Sequence, residues 1–238
     1  MKMRATLLSA ALMLAACQPA SDPEAVRAGQ AAANEQAAAE SAKAFDDAVA
    51  AGNWSLARAY GDVLLADYPN SDAAHRIAEQ HAQIVAKAEA ADNEQRLRNL
   101  WTYQSIAAGD GQQRSAAIYS RDPVDVDGSG AQPVQLIFRD HPEWGRSSYL
   151  VLPVGDFDCY GGCRVQVTVD DAAPKAMAAS RPDTDEAIAM FIEDEAALWA
   201  LAQEADVIAI EFPVEAGGTR TAVFEVGGLQ VVRMPGWN

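Results

Sequence analysis

Two cysteines, Cys159 and Cys163, bracket Tyr160-Gly161-Gly162. Cysteines at this spacing can be bridged if the chain turns between them, and adjacent glycines permit such a turn. A disulfide is the leading expectation. The alternatives are a redox or metal pair, but a thioredoxin-like site needs two intervening residues and a structural zinc site needs four ligands. Cys17 and the three histidines all lie far away in the sequence. So small a loop stabilises by only about 2 kcal/mol in the chain-entropy account, yet it would pin the turn ahead of the next strand.

A second cluster, Arg139-Asp140-His141-Pro142-Glu143-Trp144-Gly145-Arg146, packs charge, an imidazole and an indole into one predicted hairpin loop. A histidine among carboxylates can act as a general base. No serine or cysteine nucleophile accompanies it in a recognisable frame, and Gly128-Ser129-Gly130 is not a nucleophile elbow. Arg139, His141, Trp144 and Arg146 are therefore candidate binding residues, tryptophan and arginine being the usual hot-spot types. No residue is assigned a catalytic role.

Asp122, Asp125, Asp127, Ser129 and Gly130 resemble the opening of a calcium loop. Position twelve of that loop must bring a bidentate glutamate, and counting from Asp125 it is Leu136. A turn is the preferred account and a weak calcium loop the alternative. His75 and His81 are not at the three- or four-residue spacing that would put two ligands on one helix face. Phosphate-loop, zinc-protease and dinucleotide fingerprints do not occur, so neither a cofactor nor a metal is expected.

The elements that must position these residues divide near Trp101. Beyond it, short runs alternate with period two between glycine, proline and aspartate clusters. Strands are predicted near 115–121, 133–139, 147–153, 164–170, 187–192, 206–214, 220–226 and 229–234. One helix interrupts them, with Glu193, Asp194 and Glu195 at its positive N-terminal end and Leu198, Leu201, Ala202 and Ala205 on its buried face. Residues 101–238 read as a mainly antiparallel, sandwich-like β domain with one packed helix, and the chain as α+β.

Residues 25–100 read as a helical stalk and hairpin. Ala25–Ala51 is alanine-dominated with a thin apolar stripe, which favours a spacer helix roughly 40 Å long over a coiled coil. Gly52-Asn53 breaks it. Trp54, Ala57, Gly61, Leu64, Leu65 and Tyr68 then recur at helical spacing, Tyr68-Pro69-Asn70-Ser71 stops that helix, and Ser71 can cap the next. Over residues 52–90 this hairpin resembles one tetratricopeptide-like unit through Ala57, Leu64, Leu65, Tyr68 and Pro69. Gly61 stands where that family places an aromatic, and no second copy follows. A single unit implies a helical hairpin and no peptide-binding groove.

At the N-terminus, Lys2 and Arg4 precede a charge-free, mainly apolar segment from Ala5 to Ala16. This has the form of a secretory signal at 1–16, too short to span a bilayer as a helix of roughly 20 residues. Leu14-Ala15-Ala16-Cys17 resembles the lipobox of bacterial lipoproteins. The resemblance implies that Cys17 becomes the first residue of the mature chain, with diacylglycerol on its sulfur and a palmitate-type acyl group on its amine. Residues 17–24 would then be a polar tether. Gln18, in place of the aspartate that retains enterobacterial lipoproteins at the inner membrane, implies the outer membrane, facing the periplasm. An oxidising compartment agrees with a disulfide. The net charge of −16 argues against nucleic acid or anionic lipid headgroups as partners.

In the C-terminal region, Phe138-Arg139-Asp140-His141-Pro142, Gly155-Asp156-Phe157-Asp158-Cys159, Cys163-Arg164-Val165, Asp170-Asp171 and Val226-Gly227-Gly228-Leu229 are similar to a pattern in secreted and lipid-anchored Gram-negative proteins of unassigned activity. That resemblance implies a β-rich envelope domain and no reaction. The sequence thus predicts a lipid-anchored, non-enzymatic envelope protein, a binding or scaffold module held to the membrane through Cys17 and meeting an envelope protein partner. The alternative is a periplasmic hydrolase whose carboxylates the fold brings together.

Overall fold

The computed structural model describes residues 22–182 and 188–237. The expected leader, the Leu14–Cys17 motif and most of the tether lie outside the described residues. The rest divides into two compact units between Lys87 and Ala88.

In the first unit, α1 (Pro23–Ala50) begins inside the expected tether. Asp22 accepts a hydrogen bond from the Glu24 N–H at 3.0 Å, and Pro23 occupies the first turn, where its missing N–H has no helical partner to lose. Asn53 caps α2 (Trp54–Asp67) by accepting from Leu56 N–H. The Ser71 hydroxyl accepts from Ala74 N–H at 3.1 Å to start α3 (Asp72–Leu100). The second half of α1 is not a free spacer. Ala38, Ala42, Phe45 and Ala48 are buried in one core with Ala57, Leu64, Ala74, Ile77 and Ile84, and Arg76 pairs with Asp46 across the helices at 2.9 Å. Gly61 sits where the three helices converge. A Cβ there would overlap the His81 ring and approach Phe45 to 3.2 Å, so the aromatic missing from α2 is supplied by α1.

In the second unit nine strands among the described residues form one antiparallel sheet: β1 (Trp101–Ala108), β2 (Gly111–Tyr119), β3 (Gln135–His141), β4 (Gly145–Val151), β5 (Cys163–Val169), β6 (Lys175–Ser180), β7 (Ala189–Ile192), β8 (Val207–Pro213) and β9 (Thr219–Glu225). The spatial order is β1-β2-β3-β4-β7-β6-β5-β8-β9. β2 and β9 stand near opposite ends of that order, yet Arg121 N–H, just past β2, donates to the Val223 carbonyl of β9 at 2.7 Å. The Trp101 indole donates to the Val226 carbonyl at 3.3 Å. The sheet therefore curls on itself, and the facing layers expected of a sandwich are two parts of one sheet around a single core. Helix α4 (Glu195–Glu204), capped by Asp194 through Ala197 N–H at 3.0 Å, packs Leu198, Trp199 and Ala202 into that core.

The predicted strand at 229–234 is a correction. Val231–Arg233 forms a 3₁₀ turn, with Arg233 N–H bonding the Gln230 carbonyl and Met234 N–H that of Val231, both at 3.0 Å. The close packing of Gly228 against the Leu97 backbone at the end of α3 turns the chain out of the sheet, and Pro235 has no N–H to offer a ladder. Two strands, β1 and β6, lie outside the predicted set.

Candidate functional site

The β3–β4 hairpin carries the residues singled out above. Register pairs His141 with Gly145 and Arg139 with Ser147, so the connecting loop is only Pro142-Glu143-Trp144. Gly145 has φ +71°, the left-handed position that closes a three-residue hairpin loop. His141 is buried at 7 % exposure. Its Nδ1 accepts from the Glu143 N–H at 3.2 Å and the Trp144 N–H at 3.3 Å, which places the proton of the neutral ring on Nε2. The imidazole is thus a clasp for the loop, with its accepting nitrogen already used. Its ring stacks on Trp144 with centroids 3.9 Å apart and planes 9° apart.

Trp144 is 68 % exposed all the same. Arg139 crosses the neighbouring sheet surface, its guanidinium 5.5 Å from the Trp144 ring and 5.3 Å from that of Tyr149, while its Nε donates to the Ser147 hydroxyl at 3.2 Å. Tyr149 in turn packs on Phe191 at 5.0 Å, and burial raises the Tyr149 phenol above its ordinary range despite the nearby guanidinium. The run Trp144, Arg139, Tyr149, Phe191 is a continuous aromatic and cationic strip. Arg146 does not join it. It lies on the alternate side of β4, 5.6 Å from the Trp237 ring. Tyr149 and Phe191 escape a reading of the sequence because only strand register brings them beside Arg139.

Cys159 and Cys163 sit at disulfide distance, 2.01 Å between sulfurs, with Gly161 and Gly162 both at positive φ. An ion pair adjoins this turn. Arg181 reaches Asp156 through Nε at 2.9 Å and Nη2 at 3.3 Å, the Tyr160 hydroxyl donates to the same carboxylate at 3.0 Å, and Arg181 N–H donates to the Cys159 carbonyl at 3.0 Å. Burial alone would raise the Asp156 pKa, but the Arg181, Phe157 N–H and Tyr160 donors outweigh it and hold the carboxyl below its ordinary range. This pair secures the turn entering β5.

In the Asp122–Gly130 segment, the Asp125 carboxylate accepts from Gly128 N–H at 2.7 Å and that of Asp127 from Ser129 N–H at 2.9 Å. Hydrogen bonding from Ser129 lowers the Asp127 pKa. Each carboxylate gives one oxygen to an amide of the turn, and Arg220 Nε donates to the Asp125 carbonyl at 2.6 Å. His75 is exposed. His81 is half-buried with Nε2 2.9 Å from an Asp62 oxygen, close but without hydrogen-bond alignment. Compared with known proteins, the chain matches no family model, no curated protein and no solved structure.

Proposed function

We propose that this chain is a lipid-anchored protein of the bacterial outer membrane, facing the periplasm, in which the β unit acts as a non-enzymatic binding module for an envelope protein partner. The anchoring half of this reading rests on Leu14-Ala15-Ala16-Cys17. The Cys159–Cys163 pair at disulfide distance agrees with an oxidising compartment. The binding half rests on Trp144, an indole 68 % exposed yet held in one orientation by the His141 ring and flanked by Arg139. An exposed aromatic pre-ordered in this way loses little freedom on contact, which is what makes such residues binding hot spots. A hydrolase of the two-carboxylate kind needs one carboxyl held protonated. Among the described residues, Asp127, Asp156 and Glu225 are held below the ordinary carboxylate range by donors, so none of these three is suited to hold that proton.

Two measurements test the halves separately. Mass spectrometry of the native chain is expected to find a diacylglycerol thioether and an acylated amine on Cys17; an unmodified sulfur or an intact leader would refute the anchor. Photo-crosslinking from position 143 in intact cells is expected to yield a discrete protein adduct that disappears in Trp144→Ala and in Arg139→Ala. An adduct pattern unchanged by both substitutions would refute the binding surface.

A further inference from the structure

The sheet has two terminal strands, β1 and β9, and they are finished differently. β9 pairs with β8 on one side. On its other side the Val223 carbonyl takes the Arg121 N–H at 2.7 Å, and its two charged residues, Arg220 and Glu225, are bonded to the Asp125 carbonyl and to Arg96. β1 pairs with β2 over its whole length and, among the described residues, with no other strand. The C-terminal segment lies against its first residues. The Trp101 indole donates to the Val226 carbonyl, the Tyr103 hydroxyl accepts from Gln230 N–H at 2.7 Å, and the Arg233 guanidinium stands 4.5 Å from the Tyr103 ring. Past that point Gln104, Ser105, Ile106 and Ala107 are exposed. β2 meets β3 only from Arg114 onward, so Ile106–Ala108 and Gly111–Gln113 continue as a two-stranded ribbon, the least self-sufficient form of sheet.

The hairpin geometry fixes which backbone groups are open. Ala108 pairs with Gly111 across the two-residue loop Gly109-Asp110, with Gly109 at φ +54°. The pair flanking such a loop exchanges both of its hydrogen bonds, and bonded and non-bonded pairs alternate from there. Gln104, Ile106 and Ala108 therefore turn their N–H and C=O groups toward β2, while those of Ser105 and Ala107 point out of the sheet. Sheet edges are ordinarily blunted by lysine, proline or a bulge. The stretch Gln104-Ser105-Ile106-Ala107-Ala108 holds no proline and no charge, in a chain that is 22 % charged, and its register with β2 is uninterrupted. Ile106, 53 % exposed, is the large apolar residue at its middle.

We propose that this edge is closed by a second copy of the chain, β1 against β1, antiparallel about a two-fold axis at Ile106. Three observations select that occupant. In this register Ser105 of one copy faces Ala107 of the other, so each outward N–H meets an outward carbonyl. Ile106 then faces Ile106 of the second copy in a non-hydrogen-bonded pair, with Cα atoms about 4.5 Å apart, and the two isoleucines cover each other. The second observation is charge. The stretch has none, so self-pairing sets no like charges opposite one another. It also brings Asp110 of the second copy beside Tyr103 and Arg233, and Arg233 makes no ion pair among the described residues. The third is closure: β9 is occupied, so association stops at two and does not run on as a filament. The pairing cannot slide further along β1, because the C-terminal segment already lies against Trp101 and Tyr103.

This inference depends on neither the lipid anchor nor the hairpin-tip surface, and its test uses the purified chain. With Ile106→Cys, mild oxidation is expected to give a disulfide-linked dimer, the Cα spacing being within disulfide reach. Gln104→Cys, Thr221→Cys and the chain with no added cysteine are expected to give little. In sedimentation velocity the unsubstituted chain should associate reversibly to a dimer as concentration rises. Ala107→Pro should weaken that association about tenfold or more, since it deletes one outward N–H in each copy and leaves the bonds to β2 in place. Ile106→Lys, which sets like charges face to face, should do the same, and Trp144→Ala should change nothing. Circular dichroism checks that each variant is folded; should Ala107→Pro not be, Ile106→Lys carries the comparison. No linked dimer from Ile106→Cys, an equal yield from Gln104→Cys or Thr221→Cys, a chain that stays monomeric or grows past two, or association undiminished in the folded variants would each overturn the proposal. Loss of the dimer in Trp144→Ala would move the contact to the hairpin tip and overturn it as well.

Discussion

Single side chains separate binding from stability at the hairpin tip. Trp144 contributes an exposed ring, so Trp144→Ala is expected to change unfolding free energy by no more than about 0.5 kcal/mol. His141→Ala withdraws the acceptor for two loop amides and should cost about 1–2 kcal/mol; chemical denaturation of the two variants makes the comparison. Asp156 carries the acid sensitivity. Because its folded pKa lies below the unfolded value, the stability it supplies is fully present above the unfolded value and fades as pH falls through the folded one. Asp156→Asn should cost about 2 kcal/mol at neutral pH, the scale of hydrogen bonds to a charged group, and should make stability fall less steeply on acidification, followed by thermal melts from neutral to acid pH. The hairpin tip was legible in the sequence since its tryptophan and arginines stand close together in one predicted loop. The Asp156–Arg181 pair was not, since the two residues lie 25 positions apart and nothing local links them.

Whole elements were readable where side chains alternate and unreadable where they do not. Arg164-Val165-Gln166-Val167-Thr168-Val169 announces β5 through its branched residues, and β3, β4, β8 and β9 follow the same rule. Lys175-Ala176-Met177-Ala178-Ala179-Ser180 offers no β-branched or aromatic residue. It is a strand because β5 and β7 flank it on either side and it buries Met177 and Ala179. Val231 and Val232 mislead in the opposite sense: Val232 is 80 % exposed, and propensity yields to the crowding of Gly228 on the Leu97 backbone. Gly228→Ala is accordingly expected to cost about 2 kcal/mol or more, the scale for overpacking against an immovable neighbour, read as a lowered melting temperature. Reducing Cys159–Cys163 should lower stability by about 2 kcal/mol and loosen the β5 entry first, measured by amide exchange at Arg164 and Val165 with and without reductant.

At the scale of the molecule, composition made the α+β division legible, since alanine-rich helical sequence changes to period-two alternation near Trp101. Strand order was not, because which strands become neighbours depends on pairings spread along the whole β unit. β4 must wait for β7 and β5 for β8. The bond from Arg121 to Val223 joins segments about a hundred residues apart, a kind of contact that slows folding. Removing the residues after Arg220 is therefore expected to abolish cooperative unfolding of the β unit in a denaturant titration, while the helical unit keeps its circular dichroism signal. The seam between Arg121 and Val223 also sets a timetable. During synthesis every strand through β8 emerges before the one that completes the roll, so the nascent β unit cannot close until β9 has left the ribosome.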